Sequence, residues 1–183
     1  MLSGALVVLR PVHEEDLDWL VAEFSKPSTS GEFEPFFLGN AESLRWRFQE
    51  DRLLSQEKTR LIVEEKGGRR IGVASIDDLD LHARVARIGA TILDPHLRGR
   101  GLGTEAHRLL VSYLFVHFDL ARIEAFVAAG NLAARSVFRK LGFTEEGTLR
   151  RRFWAHGHRH DVVVYGLLQD EWARRSDPGT ITI

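Results

Sequence analysis

The stretch from Leu93 to Glu105, LDPHLRGRGLGTE, constrains the fold of this chain more than any other. An apolar, β-rich run over Ile88 to Leu93 stops at Asp94-Pro95. A short loop then carries Arg98, Gly99, Arg100, Gly101 and Gly103, and an apolar helical pattern begins at once. Strand, glycine-arginine loop and helix start together form a site for a diphosphate. Glycines let backbone N–H groups approach phosphate oxygens, and a new helix offers unpaired donors and the positive end of its dipole. Arg98 and Arg100 add charge-assisted hydrogen bonds. The spacing rules out two other phosphate loops. Thr104 stands where the last glycine of Gly-x-Gly-x-x-Gly would be, and there is no Gly-Lys-Ser/Thr.

The helix after the loop carries Leu102, Ala106, Leu109, Leu110, Tyr113 and Leu114 on one stripe. Val111, Phe115, Val116 and Phe118 widen it, so burial on more than one side is expected. Arg122 to Ala128 reads as the next strand. Strand, helix and strand make one crossover unit, whose two strands are expected to be parallel.

A chain of 183 residues suits one domain with a sizeable core. The 25 basic and 26 acidic residues nearly cancel, so no global charge points to nucleic acid or an anionic membrane. The absence of cysteine excludes disulfides, thiolate metal sites and cysteine nucleophiles. The N-terminus does not read as a signal peptide, and no apolar run is long enough to span a bilayer. The expectation is a cytoplasmic protein.

Elsewhere the pattern predicts strands over Ala5 to Leu9, Arg60 to Glu65, Arg70 to Ile76 and Ala83 to Leu93, and a closing hairpin of Thr144 to Trp154 and Arg159 to Leu168. Helices are expected over His13 to Phe24, Ala41 to Leu54 and Gly130 to Gly142. Gly89 marks a bulge or a close backbone approach. Asn131 is placed to cap its helix and Gly142 to stop it. Asp77, Asp78 and Asp80 read as a solvated turn and do not fit a Ca²⁺ loop. Strand alternation sends Arg151 to the face opposite Arg150 and Arg152. His156, His158 and His160 can share a strand face, but at an exposed turn they are not read as a zinc site. No metal is assigned. Residues 1–172 are expected to form the single domain, with 173–183 as a polar tail. Lys26 to Asn40 is irregular yet holds Phe33, Phe36 and Phe37 around Glu34. It reads either as a loop tucked onto the core or as a wall of a binding cleft.

Arg98, Gly101 and Gly103 meet the pattern Arg/Gln-x-x-Gly-x-Gly/Ala, and Asn131, Ala134, Lys140, Gly142 and Phe143 meet Asn-x-x-Ala/Ser ending in Lys-x-Gly-Phe. In both, the chain resembles the GNAT superfamily of N-acyltransferases. Arg-Gly-x-Gly-Leu-Gly-Thr-Glu-Ala and Gly-Phe-Thr-Glu-Glu-Gly-Thr-Leu-Arg look most like its RimJ/RimL type. The resemblance implies an α/β (α+β) fold: a mixed, mostly antiparallel sheet of six to seven strands with a splayed parallel pair, flanked by about four helices. It implies an acyl-CoA donor, acetyl-CoA or another short acyl-CoA, with no metal. Its diphosphate would lie on Arg98, Gly99, Arg100, Gly101, Leu102, Gly103 and Thr104. The pantetheine would pair with free backbone groups of Ile92 and Leu93 and lie near Asn131, Ala134, Phe138 and Lys140. The connection between the first two helices would line the acceptor cleft through Phe33, Glu34, Phe36 and Phe37.

Three positions depart from the pattern. Phe138 replaces a tyrosine that often serves as an acid, Ala134 a serine, and Arg87 a glutamate ahead of the Ile-Gly pair. Glu34, Asp77 and Asp78 remain as weak candidates for helping the amine lose its proton. The expected activity is acyl-CoA-dependent N-acyltransfer, foremost acetyl, to a protein α-amino group or a small amine by direct attack in a ternary complex. The reading allows a homodimer and assigns no nucleic-acid or membrane partner. A non-catalytic acyl-CoA sensor is the alternative, kept by the missing hydroxyl acids.

Overall fold

The computed structural model describes residues 1–26, 33, 41–55 and 58–175. Its eight strands are β1 (Leu2–Ser3), β2 (Val7–Pro11), β3 (Lys58–Glu65), β4 (Arg70–Asp80), β5 (Val85–Ile92), β6 (Arg122–Ala128), β7 (Thr144–Ala155) and β8 (His158–Leu168). The described α-helices are α1 (Leu17–Phe24), α2 (Ala41–Asp51), α3 (Leu102–His117), α4 (Leu132–Leu141) and α5 (Gln169–Arg175).

The strands form one sheet in the order β1-β2-β3-β4-β5-β6-β8-β7. Every neighbouring pair is antiparallel except β5 and β6. That exception follows from the crossover through α3, as the sequence requires. The expected class holds, with one strand and one helix more than expected. The extra strand is the two-residue β1, too short to show an alternating pattern. The extra helix is α5, which runs through the boundary expected at residue 172. Its Trp172 packs on the main core, which ties down a stretch that reads as polar.

Helices cover both faces of the sheet. Ala86, Ile88 and Ile92 of β5, Ile123, Ala125 and Val127 of β6, and Val163, Tyr165 and Leu167 of β8 form the main core with α3 and α4. A smaller core joins Leu17 and Leu20 of α1 and Phe48 of α2 to Ile62 of β3, with Val73 of β4 packed against it. The two periodicities, two along a strand and 3.6 along a helix, put these sets on opposite faces. No helix among the described residues is long and apolar enough to cross a membrane.

Three local readings are corrected by pairing. Gly89 makes no bulge against β4, because the register is regular from Gly72↔Ile92 to Asp77↔Arg87. The irregularity falls between Asp77 and Asp80, where Asp78 has φ +50°. The aspartates thus end a strand rather than form a turn. In the last hairpin, Leu149 pairs with Val162 and Phe153 with His160, so Arg150, Arg151 and Arg152 together oppose Asp161. Arg151 has φ +50°, and its N–H donates to Asp161 Oδ1 at 2.8 Å. Alternation holds only where a ladder is regular, and this bulge removes it.

Candidate active site

The parallel ladder between β5 and β6 covers only Val85↔Arg122, Ala86↔Ile123 and Arg87↔Glu124. From Ile88 onward the two strands have no pairing with each other, so they splay toward their C-terminal ends. Open α/β sheets bind ligands beyond such strand ends. The Leu93 N–H donates to Ile71 O at 2.9 Å, on the β4 side. Successive residues of a strand direct N–H and C=O to opposite edges. The Ile92 N–H therefore faces the gap, and the Ile92 carbonyl accepts from Arg98 Nε at 3.2 Å. Of the two residues expected to offer free backbone groups, Ile92 turns its N–H to the gap, whereas that of Leu93 is spent within the sheet.

A short 3₁₀ turn at Pro95–Leu97 leads from β5 into the loop; its Asp94 side chain accepts from His96 N. Gly99 has φ +77° and Gly101 φ +85°. Gly101 is the N-cap of α3, and no side chain caps the helix there. The first helical bond runs from Glu105 N to Gly101 O at 3.0 Å. The N–H groups of the first turn, over Leu102, Gly103 and Thr104, precede that bond and are donors for an outside acceptor. Arg98, Gly99, Arg100 and Gly101 are exposed, Gly103 and Thr104 half-buried, and Leu102 is buried in the core. These residues fit a diphosphate: open backbone, an uncapped dipole end and two arginines.

Beside the gap, Asn131 caps α4, its side chain accepting from Ala134 N at 3.0 Å. The side-chain amide nitrogen is left to donate elsewhere, so the cap leaves a binding role open. Ala134 is half-buried and Lys140 exposed. Phe138 is buried against His107, Phe143 and Tyr165, with ring centroids 4.8, 5.1 and 5.7 Å away. His107, which the sequence pattern did not single out, is buried behind the loop. Its Nδ1 lies 2.7 Å from Gly103 O. A carbonyl only accepts, so Nδ1 carries the proton and Nε2 the lone pair. Burial pushes the His107 pKa down to about 4, against a smaller upward pull from the Gly103 carbonyl. The ring is neutral near pH 7. The signal for a buried role was its place one turn before Leu110 and Val111 on the apolar side of the helix.

The other face of the sheet carries the polar groups. Asp77 accepts from Ser75 Oγ at 2.8 Å and Arg60 at 3.0 Å. Asp78 pairs with Arg87, whose guanidinium lies 5.0 Å from the ring centre of Phe126. Arg60 also lines a cavity of about 830 Å³ between α1, α2 and the sheet, with Leu20, Phe24, Leu44, Trp46 and Val73. Phe33 reaches the splayed end from the α1–α2 connection: a Cβ on Gly130 would meet its Cζ at 2.8 Å. Phe33 also packs edge-on against His160, 5.6 Å between centroids. Glu34, Phe36 and Phe37 lie outside the described residues.

The acetyltransferase (GNAT) domain model matches residues 7–144. A putative ribosomal N-acetyltransferase of Bacillus subtilis is 38% identical over 105 residues, a match spanning 57% of this chain and 57% of that protein. Spermidine N(1)-acetyltransferase of Escherichia coli K12 is 27% identical over 98% of this chain and 95% of its own length. Among solved structures, the spermidine N-acetyltransferase of Vibrio cholerae in complex with CoA and spermine has a TM-score of 0.82, at 23% identity and covering 93% and 99% of the two chains. A probable acetyltransferase has a TM-score of 0.79 at 30% identity over 92% and 96%. With the splayed parallel pair, the uncapped helix after Gly101 and a domain match over most of its length, this chain belongs to the GNAT acetyltransferase family and is an N-acetyltransferase.

Proposed function

We propose that this protein transfers acetyl from acetyl-CoA to a primary amine carrying little other positive charge, foremost the α-amino group of a protein or peptide, as RimJ/RimL-type enzymes do. The diphosphate would sit on the first-turn donors of α3 with Arg98 and Arg100, and the pantetheine in the gap along Ile92, near Asn131. The Ile92 N–H is the donor available to the thioester carbonyl, on whose oxygen charge develops during attack. The amine would approach from the face carrying Phe33 and Phe126. Attack forms the C–N bond and expels the CoA thiolate. A ternary complex of this kind needs no covalent nucleophile, in keeping with a chain that has no cysteine.

The observation that carries the acceptor class is charge pairing. Each carboxylate described near the gap on this face already has a guanidinium: Asp77 with Arg60, Asp78 with Arg87, Glu124 with Arg122. A polycation would need carboxylates in excess, whereas a lone amine does not. Reference basicity points the same way. An α-amino group has a pKa of about 7.7–8.0 and a lysine amine about 10.4, so only the former is substantially neutral near pH 7.

The test is kcat/KM with acetyl-CoA for free-N-terminus peptides, the same peptides blocked there but carrying lysine, and spermidine. Free N-termini should lead by at least about tenfold. A lead for spermidine or lysine overturns the acceptor class. Succinyl-CoA in parallel reports the donor. The same reading puts the protein in the cytoplasm, with residues 1–172 as a single catalytic domain.

A further inference from the structure

Among the described residues, His160 Nε2 is the buried side-chain polar atom that has no hydrogen-bond partner. An unmade hydrogen bond on a buried polar group is costly, and native structures retain few of them without a use. Three observations put His160 near the end of the gap, on the sheet face that the reading above gives to the acceptor.

The first is the sheet face. Residues directly opposite in a ladder share a face, and alternate residues along a strand share it too. Asp77 pairs with Arg87, Arg87 with Glu124, Phe126 with Val164, and Ala128 with Val162. His160, two residues before Val162, therefore lies on the face of Asp77 and Phe126, opposite α3 and the diphosphate loop. The second is the level along the sheet. Val85↔Arg122 sets the β5–β6 offset; continued up the gap, it brings Ile92 level with Ala129. The Ala129 N–H donates to Asp161 O at 2.8 Å, next to His160. The third is the neighbourhood. Phe33 packs edge-on against the ring at 5.6 Å, and Phe153 lies 6.2 Å away. The His160 ring thus has two aromatic neighbours, one of which comes from the α1–α2 connection and also lies beside Gly130, just beyond β6.

We infer that His160 Nε2 takes the proton from the acceptor amine. This rests on the N-acetyltransferase reading above and supplies the base that Arg87, standing in place of a glutamate, cannot. The ammonium form of the acceptor gives one N–H proton to Nε2. The neutral amine attacks the thioester carbon, the C–N bond forms, and the C–S bond breaks with its electron pair on sulfur. The second N–H proton passes to the thiolate through solvent, giving the amide and free thiol, and His160 releases its proton to water. Histidine is the side chain most often used for such a transfer.

The test measures kcat and KM for thiol release from acetyl-CoA with an α-amino peptide, and CoA affinity by calorimetry, in the parent, His160→Phe and His160→Ala. Phenylalanine keeps the ring packing between Phe33 and Phe153 and removes the proton acceptor. The expected result is a kcat about 10²-fold lower in both variants, CoA affinity within about twofold of the parent, and partial recovery of His160→Ala by added imidazole. A His160→Phe enzyme with parental kcat overturns the role of His160 alone. So does loss of CoA affinity in step with kcat, which would make the residue structural. A parent that binds acetyl-CoA but releases no thiol with any amine overturns the N-acetyltransferase reading and this inference with it.

Discussion

Glu105 Oε2 lies 2.6 Å from the Leu6 backbone nitrogen, joining the first turn of α3 to a bend nearly one hundred residues away in sequence. The same oxygen accepts from Val7 N at 2.7 Å, and Oε1 accepts from Ala5 N at 3.0 Å. Three successive N–H groups end on one nearly buried carboxylate, which also stands in the first turn of α3, where negative charge is favoured. Leu6 in turn stands over Gly101: a Cβ added there would meet its Cδ1 at 3.6 Å. The N-terminal bend is thus fastened to the phosphate loop by a side chain.

Replacing Glu105 by alanine strands those three donors. Hydrogen bonds to charged groups are worth about 1.5–3 kcal/mol each, and water will recover part of the loss at a partly exposed bend. A stability decrease of about 2–3 kcal/mol by denaturant titration is expected. Glu105→Gln should recover less than half of it, because its amide NH₂ faces donors.

At Gly101 the φ of +85° is one that side-chain-bearing residues rarely adopt. Gly101→Val should weaken CoA binding by tenfold or more, because the strained cap tilts the first-turn donors away from the phosphates. Calorimetry that finds unchanged affinity would remove the loop from the binding site.

Asn131 separates capping from binding. Aspartate caps as well as asparagine, so Asn131→Asp should leave the Tm of the protein within about 1 °C. Its carboxylate cannot donate, so CoA affinity should fall about tenfold if the amide reaches the pantetheine. A parallel loss of Tm and affinity would instead show that the aspartate disturbs the start of α4.

His107 gives the molecule an acid sensitivity with a defined window. Its folded pKa is about 4, below the ordinary histidine value of 6.5. Between these values the unfolded chain binds a proton that the folded protein refuses, so stability falls as pH drops from 6.5 toward 4 and levels off below it. The total is on the order of 3 kcal/mol. Asp16 acts in a lower window. Burial would raise its pKa, but hydrogen bonds from Arg10, His13 N and Arg70 outweigh that and hold it at about 2. Its contribution is present above 3.8 and is lost between 3.8 and 2. His107→Phe should therefore flatten the Tm curve between pH 6.5 and 4 and leave the lower drop in place. An unchanged slope in that variant would mean another group sets the upper window.

Much of the fold was legible because its signals are local. The strand at Ile88, the loop from Arg98 to Gly103 and the stripe of α3 each follow from residues within one or two turns of one another, and the parallel β5–β6 pair follows from chain handedness. The cap at Asn131 and the stop at Gly142 are local too, and the structure shows both. The two-residue β1 and the helix containing Trp172 carried too little periodicity to be read, and long-range packing made them.

What only the tertiary structure decided is pairing. From sequence alone Ile92 and Leu93 are equivalent, and the ladder to Ile71 turns one into the gap and the other into the sheet. Glu105 is only the last residue of the loop stretch until the N-terminal bend delivers three donors to it. Arg150 to Arg152 alternate until Asp161 captures the Arg151 N–H and three residues bulge over one. His160 reads as one of three turn histidines until Phe33 and Phe153 close around its ring. In each case the deciding energy is a hydrogen bond or a contact between residues far apart in the chain. Residue types along the chain fix which groups can make such bonds, whereas only the folded register fixes which of them meet.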